Sequence, residues 1–282
     1  MLVTSKELLL DAQKKGYAVG AFNVENMEMV MAVLAAAEET GSPVIMQTTP
    51  GTLKYAGTDF YLANVRAAAE RTKLPVVMHL DHGNSFALAM EAFRRGYTSI
   101  MIDGSKLPFE ENIALTKSVT DACHPGNVPV EAELGRVGGK EDDLDNGDEN
   151  PYTDPEEAKE FVKRADPDSL AVGVGTSHGV YKGVPKVNVD VLTQIRNVVD
   201  IPLVLHGTSG VPDDQVRDCV SRGICKVNYA TDLRIAYTKG VRKYLEDHPD
   251  DFDPKKYGIP GMEEVKKYVI QKMEVVGSVN RG

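Results

Sequence analysis

Features typical of membrane, secreted and nucleic-acid-binding proteins are missing from this sequence. Its 282 residues contain no apolar run of 18 residues and no charged-then-apolar leader, which argues against a membrane span and a secretory signal. The three cysteines form no CxxC pair, so we interpret them as free thiols of a reducing compartment. Basic residues are outnumbered 32 to 42 by acidic ones, and the formal charge of −10 argues against nucleic-acid or membrane-surface binding. We expect a cytoplasmic protein. Its negative charge does not argue against binding a small phosphorylated ligand, because such a ligand needs only local hydrogen-bond donors.

Short apolar runs recur along the chain, and segments with helical periodicity lie between them. The segments 27–41 and 86–96 are examples, and the second ends at Gly96, a helix-stop signal. Because the runs are continuously apolar, they are typical of strands that are covered on both faces. The eight runs are 17–24, 43–49, 75–82, 98–104, 128–135, 169–179, 201–210 and 223–232.

Eight strand–helix units predict an α/β fold, the (β/α)8 TIM barrel. An open doubly wound sheet is the alternative, and it is less favoured because no GxGxxG turn follows the first strand. We interpret residues 1–282 as a single barrel domain with a C-terminal helical extension over 233–282.

Three of the six histidines fall at the carboxyl ends of predicted strands, where active sites of this fold lie. They are His82, His178 and His206, and each is followed by a glycine that lets the backbone turn sharply. Three imidazoles that converge on one mouth match an open tetrahedral zinc site with a fourth position for substrate. A single histidine is more often structural, but the coincidence at three strand ends favours a metal.

Other polar residues occupy the remaining strand ends. Asp81 directly precedes a proposed ligand, and Asp103 and Glu133 end the fourth and fifth strands. Capping of the next helix explains Asp103 about as well as a role in the site does. Asn23 and Thr49 end the first two strands and are candidate substrate-binding residues.

Two stretches predict a phosphate site. HGTSG at 206–210 and NYATD at 228–232 follow the seventh and eighth strands. Small, hydroxyl-bearing loops at these two places commonly bind phosphate through backbone N–H groups and a helix N-terminus. Ser, Thr and Asp also begin helices for purely structural reasons, so the prediction depends on the joint position of the two stretches.

The segment 135–157 is long, acidic and nearly free of apolar residues. It is typical of a solvated acidic loop. A loop of this length is uncommon in a compact barrel unless it acts as a lid. We therefore also consider 133–157 a mobile active-site loop, in which Gly138 and Gly139 form a hinge that carries Glu141 into the site.

Together these motifs resemble those of the class II, zinc-dependent ketose-bisphosphate aldolases of tagatose-bisphosphate or fructose-bisphosphate type, over nearly the whole chain. The matching stretches are HLDHG, VEAELG, GGKEDD, GTSHG, LHGTSG and KVNYATD. The resemblance implies a homodimeric or homotetrameric (β/α)8 lyase that splits a ketose 1,6-bisphosphate into dihydroxyacetone phosphate and glyceraldehyde 3-phosphate. A non-catalytic accessory subunit is a further partner to be considered.

The resemblance also implies roles for single residues. Zinc would be held by His82, His178 and His206. Asp81 would donate a proton to the aldehyde oxygen, and Glu141 would exchange the proton on the dihydroxyacetone phosphate carbon.

Further residues follow from the same resemblance. Asp103 and Glu133 match positions that form either a second metal site or the surroundings of the first. A monovalent cation, Na+ or K+, is expected near the phosphate. The phosphate itself would be held by Gly179, Gly207, Thr208, Ser209, Asn228, Tyr229, Ala230 and Thr231.

The chemistry of aldol cleavage favours a metal over a lysine here. Breaking a carbon–carbon bond next to a carbonyl leaves an enediolate, whose charge either a Lewis-acidic zinc or a Schiff-base lysine can stabilise. The predicted strand 169–179 has no lysine, and Lys226, the only strand lysine, is expected near the phosphate site. The zinc route is therefore preferred.

The identity of the sugar is less clearly indicated. The stretches 47–57 and 223–228 resemble the tagatose branch, whereas 277–282 resembles the fructose branch. These sugars differ only in the configuration of the C4 hydroxyl, and a few contacts can discriminate such a difference. We prefer D-tagatose 1,6-bisphosphate, with fructose 1,6-bisphosphate and other 1-phosphorylated ketoses as alternatives.

Two other classes of protein remain open. A zinc hydrolase barrel would carry an HxH pair at the end of its first strand, which here reads AFNVEN. A non-catalytic zinc protein that senses sugar phosphates would need the histidines but neither Asp81 nor Glu141. Aldol cleavage separates both from the preferred interpretation.

Overall fold

The computed structural model describes residues 1–135, 137–141, 144–145, 152–181, 183 and 185–282, and only the backbone of 138–141 and 144–145. The described strands are β1 (Val19–Asn23), β2 (Val44–Thr48), β3 (Val76–Gly83), β4 (Ser99–Ile102), β5 (Val130–Leu134), β6 (Gly138–Glu141), β7 (Leu144–Asp145), β8 (Ser169–Val172), β9 (Ser177–His178), β10 (Leu203–Leu205) and β11 (Ile224–Tyr229). The described helices are α1 (Ser5–Lys15), α2 (Met27–Thr40), α3 (Pro50–Ala56), α4 (Thr58–Glu70), α5 (Phe86–Arg95), α6 (Phe109–Cys123), α7 (Pro155–Ala165), α8 (Val189–Val198), α9 (Asp213–Ser221), α10 (Thr231–Asp247) and α11 (Pro254–Val275).

Eight parallel strands close into a barrel in the order β1-β11-β10-β8-β5-β4-β3-β2. β1 completes the closure, because Ala21 is aligned with Ile45 of β2 on one side and with Asn228 of β11 on the other. The predicted (β/α)8 barrel is thus confirmed. Since all its strands run the same way, their carboxyl ends meet at one mouth.

The strands and helices follow the predicted apolar pattern. Every residue of β3 is buried, as expected for a strand between outer helices and a filled interior. Helix α2 ends at Gly41 and helix α5 at Gly96, with φ angles of 61° and 105° that glycine adopts without strain. The end at Gly96 was predicted from the sequence.

The segment expected to form the sixth strand is divided into two. The barrel strand β8 ends at Val172, and Ser177–His178 form a separate strand that pairs with β6 instead of the barrel. Gly175, with a φ of 93°, lies in the turn between them. The carboxyl-terminal part of the predicted run therefore belongs to a small sheet, β7-β6-β9, at the mouth.

The predicted loop 133–157 contains regular structure where it is described. It holds the end of β5, the strands β6 and β7, and the start of α7. Residues 136, 142, 143 and 146–151 lie outside the described part of the chain. The predicted C-terminal helices correspond to α10 and α11, and among described residues no helix is both long and apolar enough to span a bilayer.

Candidate active site

His82 lies on a bulge near the end of β3. Between Leu80 and Gly83 this strand takes three residue steps where β4 takes two. The φ angle of His82 is 48°, a region that residues with side chains rarely occupy. Bulges often re-aim side chains beside active sites, and this one turns Asp81 and His82 toward the barrel mouth.

His178 and His206 reach the same place from adjacent segments. His178 is the second residue of β9, and His206 directly follows β10. The glycines after them, Gly179 and Gly207, have φ angles of 85° and 63°, so the sharp turns expected there are present. Gly83 differs, because the constraint at this glycine is a close approach: a Cβ would overlap the backbone of β4.

The three imidazoles converge. The ring centroid of His82 lies 4.9 Å from that of His178 and 4.7 Å from that of His206. One nitrogen of each ring lies within 4.8 Å of the other two, and Nε2 of His82 is 3.0 Å from Nδ1 of His206. Zinc bonded at about 2.0–2.1 Å spaces its ligand atoms by about 3.4 Å. The set therefore fits a tetrahedral zinc ion with three protein donors.

Two of these imidazoles contact a carboxylate on the side away from the cluster. Nδ1 of His82 is 2.9 Å from Oδ2 of Asp103, and Nε2 of His206 is 2.9 Å from Oε1 of Glu131. Ionised carboxylates only accept hydrogen bonds, so these nitrogens carry protons. Nδ1 of His206, which faces His82, lies 3.3 Å from Oε2 of Glu133 and can hold a second proton. Without that proton, two buried lone pairs would lie 3.0 Å apart, which is unfavourable unless a cation lies near both. This donor set suits a metal, and the two carboxylates are in the orienting positions usual for metal-bound histidines.

Glu131 and Lys226, which lie below the histidines in the barrel interior, stabilise the orientation of His206. Burial lowers the pKa of His206, but Glu131 and Glu133 together outweigh burial and raise the pKa to about 9. Burial raises the pKa of Glu131, but the ammonium of Lys226, 2.9 Å from Oε2, holds that pKa well below its usual range. Because a metal ligand must be deprotonated, zinc would displace a proton from His206.

Asp81 is completely buried beside the histidines, within a set of amide side chains. Its Oδ2 accepts hydrogen bonds from Nδ2 of Asn23 at 3.1 Å and from Nε2 of Gln47 at 3.0 Å. Its Oδ1 accepts one bond, from Nδ2 of Asn228 at 3.0 Å. The carboxylate is thereby fixed in orientation, and Oδ1 keeps a lone pair for another partner.

A small cavity beside the histidines carries most of the predicted phosphate-binding residues. Ser209 connects its two sides, because Oγ lies 3.4 Å from the backbone nitrogens of both Ala230 and Asp232. Helix α10 begins at Thr231, and the N–H groups and dipole at a helix N-terminus favour an anion. The cavity is lined by His178, Gly179, Gly207, Thr208, Ser209, Asn228, Ala230 and Thr231.

Tyr229 does not line this cavity with the other predicted residues. Its side chain is fully buried, and its ring centroid lies 5.6 Å from that of Phe22 and 6.0 Å from that of Tyr268. Successive side chains of a strand point to opposite faces, so Asn228 faces the site and Tyr229 faces the core.

Three further predicted residues differ in how they relate to the site. Asn23 contacts Asp81, whereas Thr49 caps helix α3 by accepting the N–H of Thr52 at 3.3 Å. The side chain of Glu141 lies outside the described part of the chain. Its strand β6 runs beside β9 with Gly139 aligned with His178, so the backbone that leads to Glu141 passes one of the proposed ligands.

Sequence reasoning missed Gln47 and Glu131 and misplaced Lys226. Glu131 stands two residues before Glu133 on one strand, and this spacing places both carboxylates on the same face. Lys226 contacts Glu131 of β5 from β11. These strands are not neighbours, so Lys226 lies in the barrel interior below the histidines instead of at the phosphate cavity.

Comparison with known proteins identifies a matching family and similar structures. A family model described as fructose-bisphosphate aldolase class-II matches residues 3–281. The crystal structure of the YdjI aldolase from Escherichia coli K12 is 37% identical in sequence and superimposes with a TM-score of 0.89, over 100% of this chain and 99% of that one.

Two more distant structures are also similar. A putative fructose-1,6-biphosphate aldolase from Coccidioides immitis is 27% identical, with a TM-score of 0.88 over 98% of this chain and 96% of that one. Fructose-bisphosphate aldolase (Fba) from Campylobacter jejuni is 25% identical, with a TM-score of 0.83 over 100% and 97%.

Proposed function

The chain belongs to the class II fructose-bisphosphate aldolase family, whose members are lyases, and from this premise we propose that it cleaves a ketose 1,6-bisphosphate reversibly, with the help of zinc. The products would be dihydroxyacetone phosphate and D-glyceraldehyde 3-phosphate. The observation that carries the proposal is the convergence of three histidine nitrogens beside a buried, oriented carboxylate and a cavity that lies at a helix N-terminus.

The residues of the metal centre have separate tasks in this proposal. His82, His178 and His206 would hold the ion. A bound zinc ion would act as a Lewis acid toward the oxygens of the reacting carbonyl region. Asp103 orients His82 and Glu131 orients His206 in advance through hydrogen bonds of 2.9 Å. Asp103 and the predicted Glu133 also form, with His82, a second group of ligand atoms that lie within 4.8 Å of one another, so both predicted roles, second metal site and support of the first, stay proposals.

Asp81 would transfer the proton of the C4 hydroxyl. In the cleavage direction its Oδ1 would accept this proton, and in condensation it would return the proton to the aldehyde oxygen. Asn23, Gln47 and Asn228 hold the carboxylate in a fixed position, so little orientation would be lost when substrate binds.

The cavity next to the histidines would bind the phosphate on C1. Its donors would be backbone N–H groups of the lining loops and of the first turn of α10, and a phosphate can accept from several donors at once. A monovalent cation, Na+ or K+, would offset part of the phosphate charge. Binding of inorganic phosphate measured in NaCl, in KCl and in a tetraalkylammonium salt tests the cation, because equal affinities in all three would rule it out.

We prefer D-tagatose 1,6-bisphosphate as the substrate. The preference comes from the stretches 47–57 and 223–228, which include Gln47 and Asn228 beside Asp81. These residues surround the group proposed to receive the C4 proton, and C4 is the position at which tagatose and fructose differ. Fructose 1,6-bisphosphate is the second candidate, because two of the similar structures are described as fructose-bisphosphate aldolases.

A panel of 1-phosphorylated ketoses tests the substrate. Release of triose phosphate is followed in a coupled assay with tagatose 1,6-bisphosphate, fructose 1,6-bisphosphate and ketose 1-phosphates without a second phosphate. We expect kcat/KM to be highest for tagatose 1,6-bisphosphate. A higher value for fructose 1,6-bisphosphate would reverse the preference, and tight zinc binding without turnover of any member would favour a non-catalytic sensor.

The proposal also covers the oligomeric state and the cellular location. We infer a homodimer or homotetramer in the cytoplasm, without nucleic acid or membrane as a partner, and an accessory subunit is compatible with this. Light scattering on the purified chain checks the assembly, since a monomer at micromolar concentration would contradict it. Activity that appears only after another polypeptide is added would indicate the accessory subunit.

A further inference from the structure

We propose that the hydroxyl of Tyr181 is a positioning group that joins the His178 segment to the His206 segment. It accepts a hydrogen bond from the backbone N–H of Ser177 at 2.6 Å and donates one to the carbonyl of Gly207 at 2.7 Å. Ser177 directly precedes His178, and Gly207 directly follows His206. A single oxygen atom therefore bridges the backbones of two proposed zinc ligands.

The two segments are in close backbone contact at this point. A Cβ on Gly207 would come within 2.7–2.9 Å of three backbone atoms of Ser177, closer than side-chain atoms pack. Gly207 also has a φ angle of 63°, so glycine is required there by both space and conformation. The ring of Tyr181 packs against the hydrophobic core and would be 3.4 Å from a Cβ on Gly210. The ring is thus fixed by packing, while its hydroxyl holds the backbones of Ser177 and Gly207 together.

The hydroxyl bridges more than the metal ligands. His178 and Gly179 line one side of the cavity proposed for phosphate, and Gly207 to Ser209 line another. The same hydrogen bonds therefore set the distance between two walls of the cavity and the distance between two imidazoles. A functional site of this kind must be held to within about 0.5 Å by its supporting residues. Tyr181 is not among the residues that line the described cavity, so its hydroxyl would act on the site through the backbone.

Removal of the hydroxyl should weaken the contact between the Ser177 and Gly207 backbones without unfolding the protein. In Tyr181→Phe the ring and its packing remain, while the N–H of Ser177 and the carbonyl of Gly207 lose their partner. Loss of a supporting partner of a metal ligand typically costs about 10–100-fold in metal affinity. We expect a loss of this size in zinc affinity, together with a higher KM for the ketose bisphosphate.

The test is a competition between the full-length protein and a fluorescent zinc chelator, with no assay of activity. The control is Tyr244→Phe, which removes the same atom from a tyrosine of α10 whose hydroxyl donates to Asp251 at 2.7 Å. We expect weaker zinc binding in Tyr181→Phe and wild-type binding in the control. Wild-type zinc affinity in Tyr181→Phe, even with a lowered melting temperature, would make the hydroxyl merely structural and overturn the proposal.

A second measurement needs no variant. Amide hydrogen exchange of the wild-type chain should show the Ser177 N–H protected, and rapid exchange there would also overturn the proposal. The inference rests on the proposed zinc enzyme, but the two fail separately. A wild-type chain that binds no zinc rejects the proposed function, while protection of Ser177 still decides whether the bridge exists.

Discussion

Replacement of His178 with alanine is expected to abolish both zinc occupancy and aldol cleavage. One of three protein donors is lost, and the remaining pair, His82 and His206, cannot complete an open tetrahedral site. Glu131→Gln should give a smaller effect, because it keeps all three donors but weakens the partner of His206 Nε2; a decrease of about 10–100-fold in zinc affinity is expected. Zinc content after dialysis and the cleavage rate are measured on the same samples.

A matched control separates ligand loss from a general effect of losing a histidine. His248 is exposed and directly follows α10, and its ring stacks on Tyr244 with centroids 4.4 Å apart. His248→Ala should keep wild-type zinc content and activity. Unchanged zinc content in His178→Ala would show that the ligand assignment is wrong, whatever happens to the activity.

Replacement of Asp81 is expected to separate chemistry from metal binding. Asp81→Ala should retain zinc, because no proposed ligand is removed, while cleavage falls by about 10²–10⁴-fold, the usual contribution of a positioned acid or base. Asp81→Asn keeps the volume of the side chain but cannot take up the proton, so it should fall in the same range. This second variant also guards against misfolding, since alanine leaves the amides of Asn23, Gln47 and Asn228 without their acceptor.

Proton exchange distinguishes Asp81 from Glu141. Detritiation of labelled dihydroxyacetone phosphate needs no aldehyde, so Asp81→Ala should impair cleavage more than exchange. Glu141→Ala should slow both, with zinc and phosphate affinity unchanged, if this residue exchanges the proton on the dihydroxyacetone phosphate carbon. Normal exchange in Glu141→Ala would assign that proton transfer to another group.

The sequence predicted the barrel because its strands are covered on both faces and are therefore continuously apolar. It predicted His82, His178 and His206 because histidine is rare in this chain and each is followed by glycine. The sequence alone could not predict which way each side chain points. Asn228 and Tyr229 are adjacent in sequence, yet one faces the site and the other packs against Phe22, and only the register of β11 decides which.

Contacts across the barrel interior were also beyond sequence reasoning. Lys226 and Glu131 are 95 residues apart and lie on strands that do not pair, so no local pattern connects them. The division of the predicted sixth strand has a similar cause. Ser177 and His178 pair with β6, a strand in a segment whose composition indicates a solvated loop. The stretch around Tyr181 carries no signal at all, because its hydroxyl bonds backbone atoms that any residue could supply.

Metal removal and restoration on the wild-type chain shows whether this aldolase depends on zinc. Cleavage of tagatose 1,6-bisphosphate and fructose 1,6-bisphosphate is measured before dialysis against a chelator, after it, and after addition of zinc, with a parallel sample treated with sodium borohydride in the presence of substrate. We expect activity to be lost with the metal, to return with zinc, and to survive borohydride because no Schiff base forms. Activity that resists the chelator and is trapped by borohydride on a lysine would contradict this dependence on zinc.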